Sequence, residues 1–252
     1  MALSTFQKLI QEIHSSVSVV QFFFQGEPFL NPLLPQFIQI ASRHNLYSVI
    51  STNGHFLTPT LIEQLIRNQL DHLIISVDGL TQKTYEQYRV RGNLTTVIEG
   101  IQELVKRRGK RLRPLVELQF IVFKHNEHEL PSVIPFAREL KVDKVTIKSA
   151  QVYHDHERWL PENAMYRRYR KNGTLKKEVP NRCWKMWHSF EVTWDGNILP
   201  CCFDKNGEYA FGNILENGFH AIWYGNRYQQ FRSRLLLERA SIPMCSNCSE
   251  GL

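Results

Sequence analysis

The chain has 252 residues, 42% hydrophobic and 22% charged, and its 31 basic against 24 acidic side chains give a net charge of +7. That length carries one large or two modest domains with a sizeable core. No apolar run approaches the ~20 residues that span a bilayer, and 12% aromatic residues argue against disorder.

The amino terminus, MALSTFQKLIQEIHSS, has neither the basic start nor the long apolar stretch of an export signal. The expected compartment is therefore cytoplasmic and reducing. There, five cysteines read as metal ligands rather than as a disulfide framework. None of them precedes Cys183. Two basic clusters, Lys106 to Arg113 and Arg167 to Lys177, read as solvated helix ends and a connection. Few aromatic residues interleave them, which argues against nucleic acid as a partner, and nothing points to a membrane.

Leu3 to His14 has apolar residues at helical spacing. Val17 to Phe24 (VSVVQFFF) reads as a buried parallel strand, Leu33 to His44 as a helix, and Tyr47 to Ser51 as a strand. Pro59 to Asn68 is helical with Thr58 as N-cap. His72 to Val77 follows as a strand, then helices at Thr81 to Tyr88 and Leu94 to Arg108. Leu115 to Phe123 is a strand, Glu129 to Leu140 a helix and Lys144 to Lys148 a strand. Strands alternating with helices at this spacing predict βαβ units and a parallel sheet over residues 1–150. The periodicity fades over 151–182, which reads as a connection. Residues 183–252 form a separate cysteine-rich domain, with a hairpin turning at Asp195-Gly196 and a helical stretch from Gly218 to Leu237.

In parallel α/β folds, ligands sit beyond the carboxyl ends of the strands. Those ends read Gln25-Gly26-Glu27-Pro28, then Thr52-Asn53-Gly54 closing STNG, then Asp78-Gly79 closing SVDG, then Lys124-His125-Asn126, then Lys148-Ser149. Glycine lets a ligand approach the backbone closely. Glu27 offers a carboxylate to an ammonium group, while Asn53, Ser76 and Asp78 suit hydroxyls.

GEP, STNG and SVDG at this spacing resemble the core of radical S-adenosylmethionine (SAM) enzymes. The resemblance implies an incomplete parallel (β/α) barrel, about five of six strands. It places Gly26, Glu27 and Pro28 near the SAM amino group, and Ser51, Asn53, Ser76 and Asp78 near the ribose and substrate. The family's CxxxCxxC loop, which holds the SAM-cleaving [4Fe–4S] cluster, is absent from these residues. The expectation is accordingly a chain truncated at its amino end and inactive in SAM cleavage as it stands, derived from a parent that forms a 5′-deoxyadenosyl radical.

The cysteines are Cys183, Cys201, Cys202, Cys245 and Cys248, and only the last pair has the tight x2 spacing of a chelating knuckle. Four thiolates from separate segments suit a [4Fe–4S] cluster or a tetrahedral zinc. The order Cys183, Asp195-Gly196-x4-Cys201, Gly212 to Ile214, Ile222-Trp223, Cys245-x2-Cys248 resembles the SPASM domain that follows many radical SAM barrels. The resemblance implies one auxiliary [4Fe–4S] cluster on Cys183, Cys201, Cys245 and Cys248, with Cys202 spare. It further implies a peptide or small-molecule substrate and, in an active parent, an electron donor such as a flavodoxin or ferredoxin. The alternative is a non-catalytic Fe–S or zinc module that binds a partner. Trp184, Trp187 and Trp194 are expected to shield the cluster, and His125, His128, His154 and His156 to be surface or loop histidines.

Overall fold

The computed structural model describes residues 1–250, and the chain forms two compact units. One is Ser18–Thr174. The other joins Met1–Val17 to the chain from Leu175 onward. The amino-terminal helix, α1 (Leu3–Ile13), thus belongs with the carboxyl-terminal unit.

The Ser18–Thr174 unit is built on five parallel strands in sequential order: β1 (Val19–Gln21), β2 (Tyr47–Thr52), β3 (His72–Ser76), β4 (Leu115–Val122) and β5 (Lys144–Ser149). The crossovers carry α2 (Leu34–Arg43), α3 (Pro59–Arg67), α4 (Gln82–Tyr85), α5 (Leu94–Arg108) and α6 (Leu130–Glu139). Their starts follow from local chemistry. The Thr58 and Asn93 side chains accept the N–H groups of Leu61 (3.3 Å) and Thr96 (3.0 Å) at the heads of α3 and α5. Lys106, Arg107 and Arg108 lie in the last turn of α5, where the helix dipole favours cations.

The sheet has two chemically different faces. Ile50, Leu73, Ile75, Val116, Leu118, Phe120 and Val122 alternate onto one face and are completely buried, as are Ile62, Leu65, Val97, Ile101 and Leu104 from the helices. This is the core. The other face carries Ser51, His72, Ser76, Glu117, Gln119 and Thr146. Glu117 is buried there and pairs with His72 and Lys144, each at 2.9 Å. The predicted strand at Val17–Phe24 shrinks to three residues at the sheet edge, with Val19 about half exposed. Register between β2 and β3 is locked at the amino end, where buried Asp71 accepts the N–H (2.8 Å) and hydroxyl (2.9 Å) of Ser48.

Residues 151–174 are packed on this unit. A short helix, α7 (His156–Trp159), returns to the end of β4, where Lys124 N–H donates to the Trp159 carbonyl at 3.0 Å. The Glu127 carboxylate accepts the N–H groups of Glu162 (2.8 Å) and Asn163 (2.9 Å).

The second unit holds the antiparallel strands β6 (Glu191–Val192), β7 (Asn197–Leu199) and β8 (Gly212–Asn213). It also holds α8 (Ile214–Asn217), α9 (Phe219–Trp223), α10 (Asn226–Glu238) and α11 (Pro243–Ser246). The Asp195-Gly196 turn joins β6 to β7 as expected, whereas β8 was not foreseen. The helical stretch from Gly218 breaks at Gly225. α1 docks here: Lys8 donates to the Leu215 carbonyl (2.8 Å), and Glu12 accepts the Phe219 N–H (2.5 Å), placing a carboxylate at the start of α9. Ile198, Ile214, Tyr228, Leu235 and Met186 form its core. Trp184, Trp187 and Trp194 are exposed and do not line the thiol pocket, while Phe211, Tyr228 and Phe231 pack on one another.

Candidate functional site

The carboxyl rim of the parallel sheet is tied together by Glu27. One oxygen accepts the Thr52 hydroxyl (2.8 Å) and the Phe29 N–H (3.2 Å), and the other accepts the Asn53 N–H (2.8 Å). Gly26 precedes it at φ +76°, with open space where a Cβ would stand, and Pro28 follows in a short 3-10 turn. Asn93 N–H donates to His55 Nε2 (2.9 Å), so the Nδ1–H of that ring points at Asn53 Oδ1 (3.1 Å). This fixes the Asn53 amide with its two N–H donors unspent. Gly54 is held at φ +83°, and a Cβ there would lie 2.8 Å from Val97 Cγ1, so only glycine fits. Ser51, on the polar face, and Ser76, at the end of β3, complete a strip of hydroxyls beside Asn53.

Asp78 behaves differently. It is completely buried, and its oxygens are taken by the Ile121 N–H (2.7 Å) and by Arg89 through Nε (2.7 Å) and Nη2 (2.6 Å). Burial pushes its pKa up, against the opposing pull of the Arg89 charge and the Ile121 N–H. Burial works against the charge on Arg89 as well, but Asp78 holds its pKa above the ordinary value. What Asp78 offers the rim is thus a fixed guanidinium. Sequence reasoning missed Arg89, which lies 11 residues away in a helix-to-loop stretch without a strand-end signal. Asn126 clasps the same corner. It is fully buried, donates to the carbonyls of Asp78 (3.0 Å) and Ile121 (2.9 Å), and accepts the Phe123 N–H (2.7 Å). His125 lies in the turn after β4, as a loop histidine, and is half-buried. It stacks on Phe123 with centroids 5.5 Å apart and meets the edge of Trp159, and burial lowers its pKa.

In the other unit, Cys183, Cys201, Cys245 and Cys248 line one small pocket with Met186, Phe203, Leu235 and Met244 as apolar walls. Cys202 is exposed and outside this lining. The knuckle is formed by α11 and the turn after it, where Cys248 N–H donates to the Cys245 carbonyl (3.1 Å) and Glu250 N–H to Cys248 Sγ (3.3 Å). Burial pushes the Cys201 thiol up to about 12 and the Cys245 thiol to about 11, and raises Cys248 as well. Among the described residues no three His, Cys, Asp or Glu side chains already stand close enough to share one ion. The donor set nonetheless fits a thiolate-bound metal group: four free thiols from three segments, apolar walls, and cationic Lys185 and Arg239 in the lining.

Comparison with known sequences settles the family. The model of the radical SAM superfamily matches residues 4–137. The chain belongs to the radical SAM superfamily. The model of the SPASM iron-sulfur cluster-binding domain matches residues 183–249, so the barrel is followed by a SPASM region. Among similar proteins is the tungsten-containing aldehyde ferredoxin oxidoreductase cofactor-modifying protein of Pyrococcus furiosus, 23% identical over 97% of this chain and 78% of that one. Another is the PqqA peptide cyclase of Gluconobacter oxydans, 27% identical over 85% of this chain and 65%, just under two thirds, of that one. Streptococcus suis SuiB, solved bound to S-adenosylmethionine, superposes with a TM-score of 0.69 at 14% identity, covering 91% of this chain and 60% of SuiB. SuiB has also been solved with its precursor peptide SuiA. At that identity the likeness shows the fold alone. Radical SAM and SPASM proteins bind SAM and iron–sulfur clusters as families, and no helix among the described residues is long and apolar enough to cross a membrane.

Proposed function

We propose that this radical SAM protein binds SAM along the carboxyl rim and one auxiliary [4Fe–4S] cluster in the cysteine pocket, as part of an enzyme that modifies a peptide. The observation that carries the reading is the convergence of Cys183, Cys201, Cys245 and Cys248 on one pocket that Cys202 does not line. Gly26 leaves room for the methionine moiety, and Glu27, already fixed by Thr52 and Asn53, presents a carboxylate to its ammonium group. The Asn53 amide and the Ser51 and Ser76 hydroxyls face the ribose, and Asp78 serves by holding Arg89 at the rim. In the family, SAM ligated to a cluster is cleaved by one electron. No cysteine precedes Cys183, so the residues of this barrel position SAM without supplying that cluster's thiolates. A peptide substrate is favoured by the likeness to PqqA peptide cyclase. By sequence the proposed domains are a barrel over 1–150, a connection over 151–182 and a cluster domain over 183–252, with Met1–Val17 grouped in space with the last and the chain up to Thr174 with the first.

The cysteine pocket by itself also suits a second reading, a binding module without radical chemistry. Anaerobic reconstitution with iron and sulfide separates the two when followed by metal counting and equilibrium dialysis with SAM. About four irons per chain support the auxiliary cluster, and SAM binding that Glu27→Gln weakens then distinguishes the SAM-positioning barrel from the module. Zinc without iron overturns the cluster in either reading.

A further inference from the structure

Arg239 is 1% exposed and sits where α10 ends. Its backbone N–H donates to Asn181 Oδ1 (2.9 Å). One terminal nitrogen donates to the carbonyl of Arg182, the residue before Cys183, and the other donates to the carbonyl of Glu250 (2.8 Å), two residues after Cys248. The guanidinium therefore bridges the chain entering the thiol pocket and the chain leaving it. It also lines that pocket, where its charge acts on the thiols of Cys245 and Cys248.

Two features of Arg239 stand out among the described residues. Its Nε–H is buried and meets no acceptor at hydrogen-bond geometry, while the guanidinium stands near enough to the Cys245 and Cys248 thiols to lower their pKa against burial. Among the described residues no carboxylate pairs with it, although an enclosed cation without a counter-anion is strongly unfavourable. Lys185, the other cation of the lining, is part-exposed and stands 3.9 Å from Glu250. A guanidinium needed only to join two carbonyls would not require a third, unspent donor beside the thiols. A cluster held by four thiolates is anionic, and its sulfurs accept hydrogen bonds.

We propose that Arg239 is a positioning residue for the auxiliary cluster, donating its Nε–H to sulfur on the Cys245–Cys248 side, supplying the buried counter-charge and raising the cluster's reduction potential. This rests on the cluster reading above. It adds a residue outside the ligand set and a direction for the potential.

The test starts with the iron count of the reconstituted wild-type chain. If it holds zinc or no metal, the cluster reading fails and this inference falls with it. With about four irons, pulsed EPR of the reduced, 15N-arginine-labelled wild-type protein reads the contact directly, since Arg239 is the one arginine lining the pocket. A 15N hyperfine coupling is expected, and its absence overturns the proposal. Arg239→Lys keeps the charge and loses the Nε–H; Arg239→Gln loses both. In redox titrations each iron-loaded variant is expected to show a lower midpoint than wild type, Gln below Lys. For Gln the reduced-to-oxidised ratio at the wild-type midpoint should fall about tenfold, a shift of ~59 mV for one electron. Iron-replete variants with the wild-type midpoint would overturn the tuning role. If neither variant loads iron, the labelled wild-type spectrum decides.

Discussion

The carboxylate of Glu27 accepts the backbone N–H of Asn53 at 2.8 Å, joining the loop after β1 to the loop after β2. With the Thr52 hydroxyl on its other oxygen, Glu27 is fixed before any ligand arrives. Glu27→Gln replaces one acceptor oxygen by an N–H donor, which must then face the Asn53 N–H or the Thr52 hydroxyl. We expect a loss of about 1–2 kcal/mol in urea denaturation and a greater than tenfold weakening of SAM binding by equilibrium dialysis. Unchanged SAM binding would remove Glu27 from the proposed site.

Asp78 and Arg89 form the enclosed ion pair of the rim. Asp78→Asn leaves the guanidinium largely buried without its counter-charge, and a loss of about 3 kcal/mol is expected. Arg89→Met in the same background removes the uncompensated charge, so the double variant should recover at least about 1 kcal/mol of that loss. Strictly additive losses in the cycle would contradict the pairing.

The sequence made the parallel sheet and its rim legible for a physical reason. Strands such as HLIIS and helices such as α5 repeat at distinct periods, and glycine with a short polar residue must follow a strand that turns. The two-faced character of the sheet was harder to see. Glu117 and Gln119 alternate inside an otherwise apolar β4, and their pairing with His72 and Lys144 depends on register. Arg89 and Arg239 were invisible because each acts through buried polar contacts with distant residues that no local pattern announces. β8, two residues long, carries no period at all. α1 was legible as a helix, but its partner was not: the bonds of Lys8 and Glu12 to residues 207 positions away assign it to the other unit.

Cys201 and Cys202 are neighbours with opposite placements, one lining the pocket and one exposed. Cys201→Ser should cost the auxiliary cluster, whereas Cys202→Ser should retain wild-type iron and the wild-type visible absorption. Burial keeps the Cys201 and Cys245 thiols protonated at neutral pH, so metal binding must expel protons. Reconstitution should therefore proceed faster at pH 8.5 than at pH 7. Iron loss in Cys202→Ser with retention in Cys201→Ser would reverse the ligand assignment.

Glu191, on β6, is a carboxylate held far from its ordinary range. Burial raises its pKa from 4.5 to about 7, against the opposing charge of Lys185. The folded protein thus prefers the neutral acid. The stability this contributes is full below about pH 4.5 and is lost as pH rises through about 7. Glu191→Gln keeps a neutral group of the same shape at every pH. Its stability relative to wild type should rise by about 2 kcal/mol between pH 5.5 and pH 8, read from paired urea midpoints on iron-loaded samples. Parallel midpoints across that range would mean that the Glu191 carboxyl is solvated and titrates as an ordinary acid.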